Sequence, residues 1–178
     1  MRNRSVARAQ SPQGKCVGGW DGLVRQLLPK VYRYFSYHVG DEQAAEDLSA
    51  ETFERAWTSR NHYRPDRGVH SQWIFGIARN VAADYFRRRP PEVSLEAVAV
   101  QGADPSAEEV FERQDRFRRL ADLLLGLTER ERELIALKYG AELTNRAIAG
   151  LTGLSESNVG TVLYRAVARL RKQWERRE

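Results

Sequence analysis

Two successive prolines, Pro90-Pro91, most constrain what this chain can fold into. Each lacks a backbone donor and disfavours helix in the residue before it, so no helix runs through the pair. The stretch from there to Ala107 is small, acidic and irregular, with Gly102 and Asp104-Pro105 adding turn chemistry. On both sides of it, apolar residues recur at helical spacing, and no segment alternates as a strand does. The predicted fold class is therefore all-α: two small helical domains joined by a flexible linker, the second carrying a helix-turn-helix. The boundaries read as 20–89 for the first lobe, 90–107 for the linker and 108–178 for the second lobe. The 178 residues are enough for two small domains. Residues 1–19, polar, basic and without a sustained period, read as a disordered extension.

The first lobe holds about three helices, broken at Gly40-Asp41 and at Tyr63-Arg64-Pro65-Asp66-Arg67-Gly68. The second holds helical segments over 108–125, 128–139, 145–152 and 156 to about 175. Thr128 with Glu131 three residues on has the form of a capping box, and Thr144 and Ser155 stand where N-caps belong.

In the second lobe, small Ala149 suits a close helix crossing, Gly153 a tight turn, and Val159 a buried position facing back. The buried stripe of the last helix is predicted as Val159, Val162, Leu163, Ala166 and Leu170. Its other face presents Ser157, Asn158, Thr161, Tyr164, Arg165, Ala168 and Lys172. A recognition helix reads base edges near its N-terminus, so Ser157, Asn158 and Thr161 are candidates for the major groove, with Arg165 and Lys172 nearer phosphates. Asn pairs bidentately with adenine. The basic tail, Arg169, Arg171, Lys172, Arg176 and Arg177, adds the charge a duplex binder needs.

The second helix of the first lobe puts Ala45, Leu48, Thr52 and Ala56 on one face and Asp47, Glu51 and Glu54 on the other. An acidic stripe on a chain with 29 Lys and Arg against 24 Asp and Glu, net +5, points to a basic protein partner at that surface. The third helix is predicted to bury Ile74, Ile77, Ala78, Val81 and Tyr85, leaving Gln72, Trp73, Arg79, Asn80, Ala83 and Arg87 around its other side. Aromatics interleaved with guanidiniums, beside the 63–68 loop, suit single-stranded DNA, whose backbone seeks positive charge and whose bases stack. Arg87, Arg88 and Arg89 also complement the helix dipole.

Some classes of function are excluded or disfavoured. The lone Cys16 rules out an internal disulfide or a Cys-rich zinc site and fits a reducing cytoplasm. No apolar run approaches the roughly 20 residues that span a bilayer. His38, His62 and His70 form no zinc-protease motif, and neither a phosphate loop nor a nucleophile elbow is present. The expectation is a protein without catalysis, cofactor or metal. An ordinary helix-turn-helix regulator, binding duplex DNA without polymerase, accounts for residues 128–175 equally well but not for the first lobe.

Taken in order, AEDLSAETFERAW, YRPDRGVHSQWIFGIARNVAADYFRRR, LTERERELIALKYG and the helix-turn-helix resemble the successive blocks of sigma-70-type extracytoplasmic-function (ECF) sigma factors over nearly all of residues 20–175. The resemblance implies an alternative sigma factor that binds core RNA polymerase, recognises promoter DNA and initiates transcription. It implies docking of Asp47, Leu48, Glu51, Thr52, Phe53 and Glu54 on the clamp helices of the polymerase's largest subunit. It implies contact with the melted downstream element by Tyr63, Arg64, Arg67, Gln72, Trp73, Arg79, Asn80, Arg87 and Arg88. For the upstream duplex element it implies Ser155, Ser157, Asn158, Thr161, Tyr164, Arg165, Arg169 and Lys172. Further implied partners are the polymerase flap region and an anti-sigma factor, with no obligate homo-oligomer. Gly160 and Val162 depart from the family, whose members often carry basic residues there; fewer charges predict a weaker phosphate grip.

Overall fold

The computed structural model describes residues 19–64, 69–88 and 119–176. The linker, the N-terminal extension, Arg67 and Arg89 lie outside them. Among the described residues there is no strand, and no helix is long and apolar enough to cross a membrane.

Helix α1 spans Gly19–Val39 and α2 spans Glu42–Ser59, followed by a 3-10 turn at Arg60–His62 and by α3, His70–Arg88. The break between α1 and α2 has a local cause. Gly40 adopts φ +75°, which a residue with a Cβ rarely does, and the Asp41 carboxylate then accepts from Ala44 N at 2.7 Å to cap α2. The lobe closes around Val31, Tyr34, Phe35, Ala45, Thr52, Ala56, Ile74, Phe75 and Ala78, all buried. Two of the residues predicted for the α3 stripe, Ile77 and Tyr85, are half-buried instead, while Phe75 and Ala82 go fully inside. The helix is rotated from its expected setting because it packs against α1 as well as α2, and a stripe drawn for one neighbour is too narrow for two.

The second lobe comprises a helical segment over 119–125, here α4, then α5 (Glu129–Ile135), a π-helical turn (Ala136–Gly140), α6 (Asn145–Thr152) and α7 (Glu156–Glu175). The expected caps are formed. Thr128 and Glu131 make the reciprocal box, Thr144 accepts from Ala147 N, and Ser155 accepts from Asn158 N. Gly153 takes the left-handed conformation, φ +72°, that turns α6 into α7.

The lobes do not stand apart. One continuous apolar core runs from α1–α3 into α5, α6 and α7, with α1 packed against α5 and the π turn and α3 against α6. The linker expected over residues 90–107 lies outside the described residues, and the two sets of helices on either side of it are in contact.

Candidate nucleic-acid interface

On α7 the turn at Gly153 and the cap at Ser155 fix where the helix starts, and packing fixes its rotation. Val159, Leu163 and Ala166 are buried, with Val162 and Leu170 half-buried at the edges. Ser155, Ser157, Asn158, Thr161, Tyr164, Arg165, Ala168 and Lys172 are all exposed, as the wheel predicts. Thr161 Oγ1 donates back to Ser157 O at 3.0 Å, so the hydroxyl is oriented by its own helix. Tyr164, 77% exposed, is the most open large hydrophobic side chain among the described residues of the lobe.

Arg169 is differently placed. Its guanidinium reaches Glu131 Oε2 at 2.9 Å, tying α7 to the box that opens α5. Burial pushes the Glu131 carboxyl up, but bonds from Thr128 and Arg169 outweigh it and hold the group below the usual range. Gly160 leaves α7 unbroken, and a Cβ there would meet Asn145 Nδ2 at 3.6 Å, an ordinary contact. Packing therefore does not demand this glycine.

On the first lobe, Tyr63 stacks on His70 with centroids 4.1 Å apart and lies 5.2 Å from Trp73. Tyr63, Arg64, Gln72 and Trp73 line a cavity of about 420 Å³ whose far wall is Ala147 and Leu151 of α6. Asn80, Arg87 and Arg88 are exposed. Arg87 pairs with Asp84 at 2.6 Å, and Asp84 also takes Arg55 at 3.0 Å, whose guanidinium in turn pairs with Glu51. The bond from Arg55 foremost, with the neighbouring arginine charges, holds the Asp84 carboxyl below its ordinary range.

Arg79 departs from the open, strand-facing position expected for it. Its Nε donates to Glu133 Oε1 at 2.7 Å and its Nη1 to the Leu151 carbonyl, both in the second lobe. In this state the side chain joins the lobes.

The docking stripe also divides. Asp47 and Glu54 are exposed, and Glu51 is half-buried within the Arg55–Asp84 network. Leu48, Thr52 and Phe53, expected in the docking set, are buried in the free chain, with Leu48 at the floor of a shallow pocket shared with Glu51, Val81, Tyr85 and Arg88. Thr52 Oγ1 donates to Leu48 O, and Phe53 is covered by Trp20 at 6.4 Å between centroids. These three set the helix against its own lobe.

The contact between the lobes was not foreseen from the sequence. Gly140, in the π turn, lies against the α1 backbone. Glu142 takes φ 58° and pairs with Lys30 Nζ at 2.7 Å and Arg33 Nη2 at 2.6 Å. Nearby, Arg33 Nε, Arg132 Nε and His38 Nε2 are buried without a hydrogen-bond partner.

An acidic helix edge, an aromatic-basic helix and a capped helix-turn-helix stand together on one all-helical chain, the arrangement of the sigma factors. The Sigma-70 region 2 profile matches residues 23–90, and that of Sigma-70, region 4 matches residues 117–170. The chain belongs to the sigma-70 family and is an alternative, extracytoplasmic-function sigma factor that initiates transcription. It is 29% identical over 157 residues to the ECF RNA polymerase sigma factor SigM of Bacillus subtilis, covering 88% of this chain and 95% of the relative. It is 30% identical to the ECF RNA polymerase sigma factor BldN of Streptomyces coelicolor, covering 93% of this chain and 62% of that longer relative. The fold resembles the sigma factor RpoE solved with the anti-sigma factor NepR from Bartonella quintana, with a TM-score of 0.71, 20% identity and coverage of 89% and 98%. It also resembles CnrH, solved with the cytosolic domain of CnrY, with a TM-score of 0.64, 22% identity and coverage of 90% and 88%. The region 2 match sets aside the reading as a free-standing helix-turn-helix regulator, which left the first lobe unexplained.

Proposed function

We propose that this sigma factor acts in the cytoplasm with core RNA polymerase, without catalytic chemistry of its own, and divides its work between the lobes. The first lobe docks the polymerase through the exposed edge of α2, Asp47 and Glu54 foremost, and holds the melted downstream element on α3. The second reads the upstream element as duplex through Ser157, Asn158 and Thr161, with Arg165 and Lys172 on phosphates. The observation that carries the reading is the aromatic wall of Tyr63 and Trp73 beside Arg64 and Gln72. Stacking surface next to positive charge suits an unpaired base better than a closed duplex. An anti-sigma partner is supported by the RpoE structure, solved with the anti-sigma factor NepR.

If α3 holds the separated strand, Trp73→Ala with Asn80→Ala lowers transcription from a duplex promoter by about tenfold or more, the loss of roughly 1–3 kcal/mol of stacking per base. The same variant is expected to lose much less on a pre-melted template, and an equal loss on both would refute the assignment. Asn158→Ala with Thr161→Ala is expected to change which upstream sequences are enriched from a promoter library, each lost base contact being worth about 1–3 kcal/mol of discrimination. An unaltered preference would remove these residues from base reading.

A further inference from the structure

We infer that Arg60, held over the Trp57 ring, is a second stacking platform for the separated strand, taking a base next to the one received at Tyr63 and Trp73; this rests on the reading of that aromatic wall as strand-binding.

The platform is built at the end of α2. Trp57 is 46% exposed on the last turn of the helix, and its indole is braced edge-on by Trp20 at 5.2 Å between centroids. Trp20 packs in turn on the buried Phe53, so the exposed ring is anchored to the core. Arg60 opens the 3-10 turn that follows. Its Cζ sits 3.8 Å from the centre of the Trp57 ring, and its Nη1 donates to the Trp57 carbonyl at 2.7 Å. Cation–π attraction and the hydrogen bond together restrict the guanidinium to one setting. Arg60 is exposed, so the side away from the ring is open to solvent. Its charge is also uncommitted. Arg55 and Arg87 pair with Asp84 and Arg79 pairs with Glu133, whereas Arg60 meets no carboxylate among the described residues.

This platform runs on into the strand wall. Tyr63 N bonds to Arg60 O at 3.3 Å and closes the 3-10 turn, in which side chains three apart eclipse and the chain advances about 6 Å. Tyr63 continues the series, stacked on His70 and 5.2 Å from Trp73. Neither Trp57 nor Arg60 lines the cavity at Tyr63 and Trp73, so they extend the surface beyond it. A base stacks on a guanidinium plane as it does on an aromatic ring, and the same group offers N–H donors to a neighbouring phosphate. A closed duplex, with its bases enclosed, leaves the plane unused. A protein partner docks by burying apolar surface, and Arg60 already covers the Trp57 face.

The full chain, assembled with an excess of core RNA polymerase, is titrated against a fluorescent single-stranded oligonucleotide of promoter sequence. Arg60→Ala is expected to lower affinity roughly 5- to 10-fold, the lower part of what one stacked base contributes. Arg60→Lys keeps the charge and loses the plane, and is expected to recover only a small part. Oligonucleotides with one abasic site at each position in turn identify the base. One position, next to the one sensed by Trp73, is expected to lose affinity with the unaltered protein and to make no further difference with Arg60→Ala. Thermal melting of the free chain is expected to stay unchanged, because Arg60 is exposed. Unaltered affinity in Arg60→Ala overturns the platform. Full recovery by Arg60→Lys, or a loss that no abasic position masks, reduces Arg60 to a phosphate contact and overturns it too. Weaker binding to core polymerase, with strand affinity of the assembled complex unaltered, makes this edge a docking surface instead. If Trp73→Ala binds the strand normally while Arg60→Ala shows a masked position, the reading of the Tyr63–Trp73 wall fails and the platform stands.

Discussion

Asp47→Lys with Glu54→Lys is expected to weaken binding to core RNA polymerase by about 100-fold while leaving the thermal melting of the free protein nearly unchanged. The size follows from replacing two favourable charge contacts with two repulsive ones, since like charges facing each other across an interface cost several kcal/mol. The unchanged stability follows from exposure: both carboxylates lie on the outer edge of α2, away from the buried face formed by Ala45, Leu48, Thr52 and Ala56. Glu51 is deliberately spared. Reversing it would set a cation against Arg55 and break the Glu51–Arg55–Asp84 connection between α2 and α3, confounding docking with folding. Binding isotherms with purified core enzyme, in parallel with a melting curve, check the result. Unchanged affinity would move the docking surface off this helix edge.

Acidification should destabilise the fold well before its carboxylates titrate. His38 is almost wholly buried. Its Nδ1 lies 3.2 Å from the Tyr34 hydroxyl and its ring packs on Phe86, while Arg132 and Arg79 supply positive charge. Burial first, then those two guanidiniums, lowers its pKa to about 3 from the ordinary 6.5. The sign follows from proton binding. Between those values the unfolded chain takes up a proton that the folded chain refuses, so stability is full above about pH 6.5 and falls as pH drops toward 3. The slope reaches at most about 1.4 kcal/mol per pH unit, or roughly 2–3 kcal/mol between pH 6.5 and 4.5. The paired carboxylates Asp84, Glu131 and Glu142 are all held below their ordinary range and contribute at still lower pH. Urea denaturation across this window is the measurement, and His38→Gln should flatten the dependence. A flat profile in the unaltered protein would show that the ring takes up its proton without unfolding.

What the sequence made legible was what is set locally. The Thr128 box, the Thr144 and Ser155 caps and the Gly153 turn each depend on residues within a few positions, so composition and spacing suffice to find them. The outward face of α7 followed from the same logic, because a helix packed along one side keeps its period visible. Misreadings arose where packing came from far along the chain. The stripe of α3 was misplaced by its second neighbour, and the bonds that Arg79, assigned to the melted strand, makes to the second lobe went unseen because their partners lie 54 and 72 residues away. Gly140 was hidden differently. A glycine after a helical run ordinarily reads as a left-handed stop, and nothing local reveals that it is needed for lack of a side chain.

That lack has a genetic corollary. Any glycine codon becomes an alanine codon by one base change, so a substitution adding a single methyl group at position 140 is always one mutational step away. That methyl group would lie 2.8 Å from Arg33 O, so a single-step alanine allele at position 140 is expected to loosen the contact between the lobes. The contact between the lobes is therefore within reach of one base change in a way that the exposed face of α7 is not.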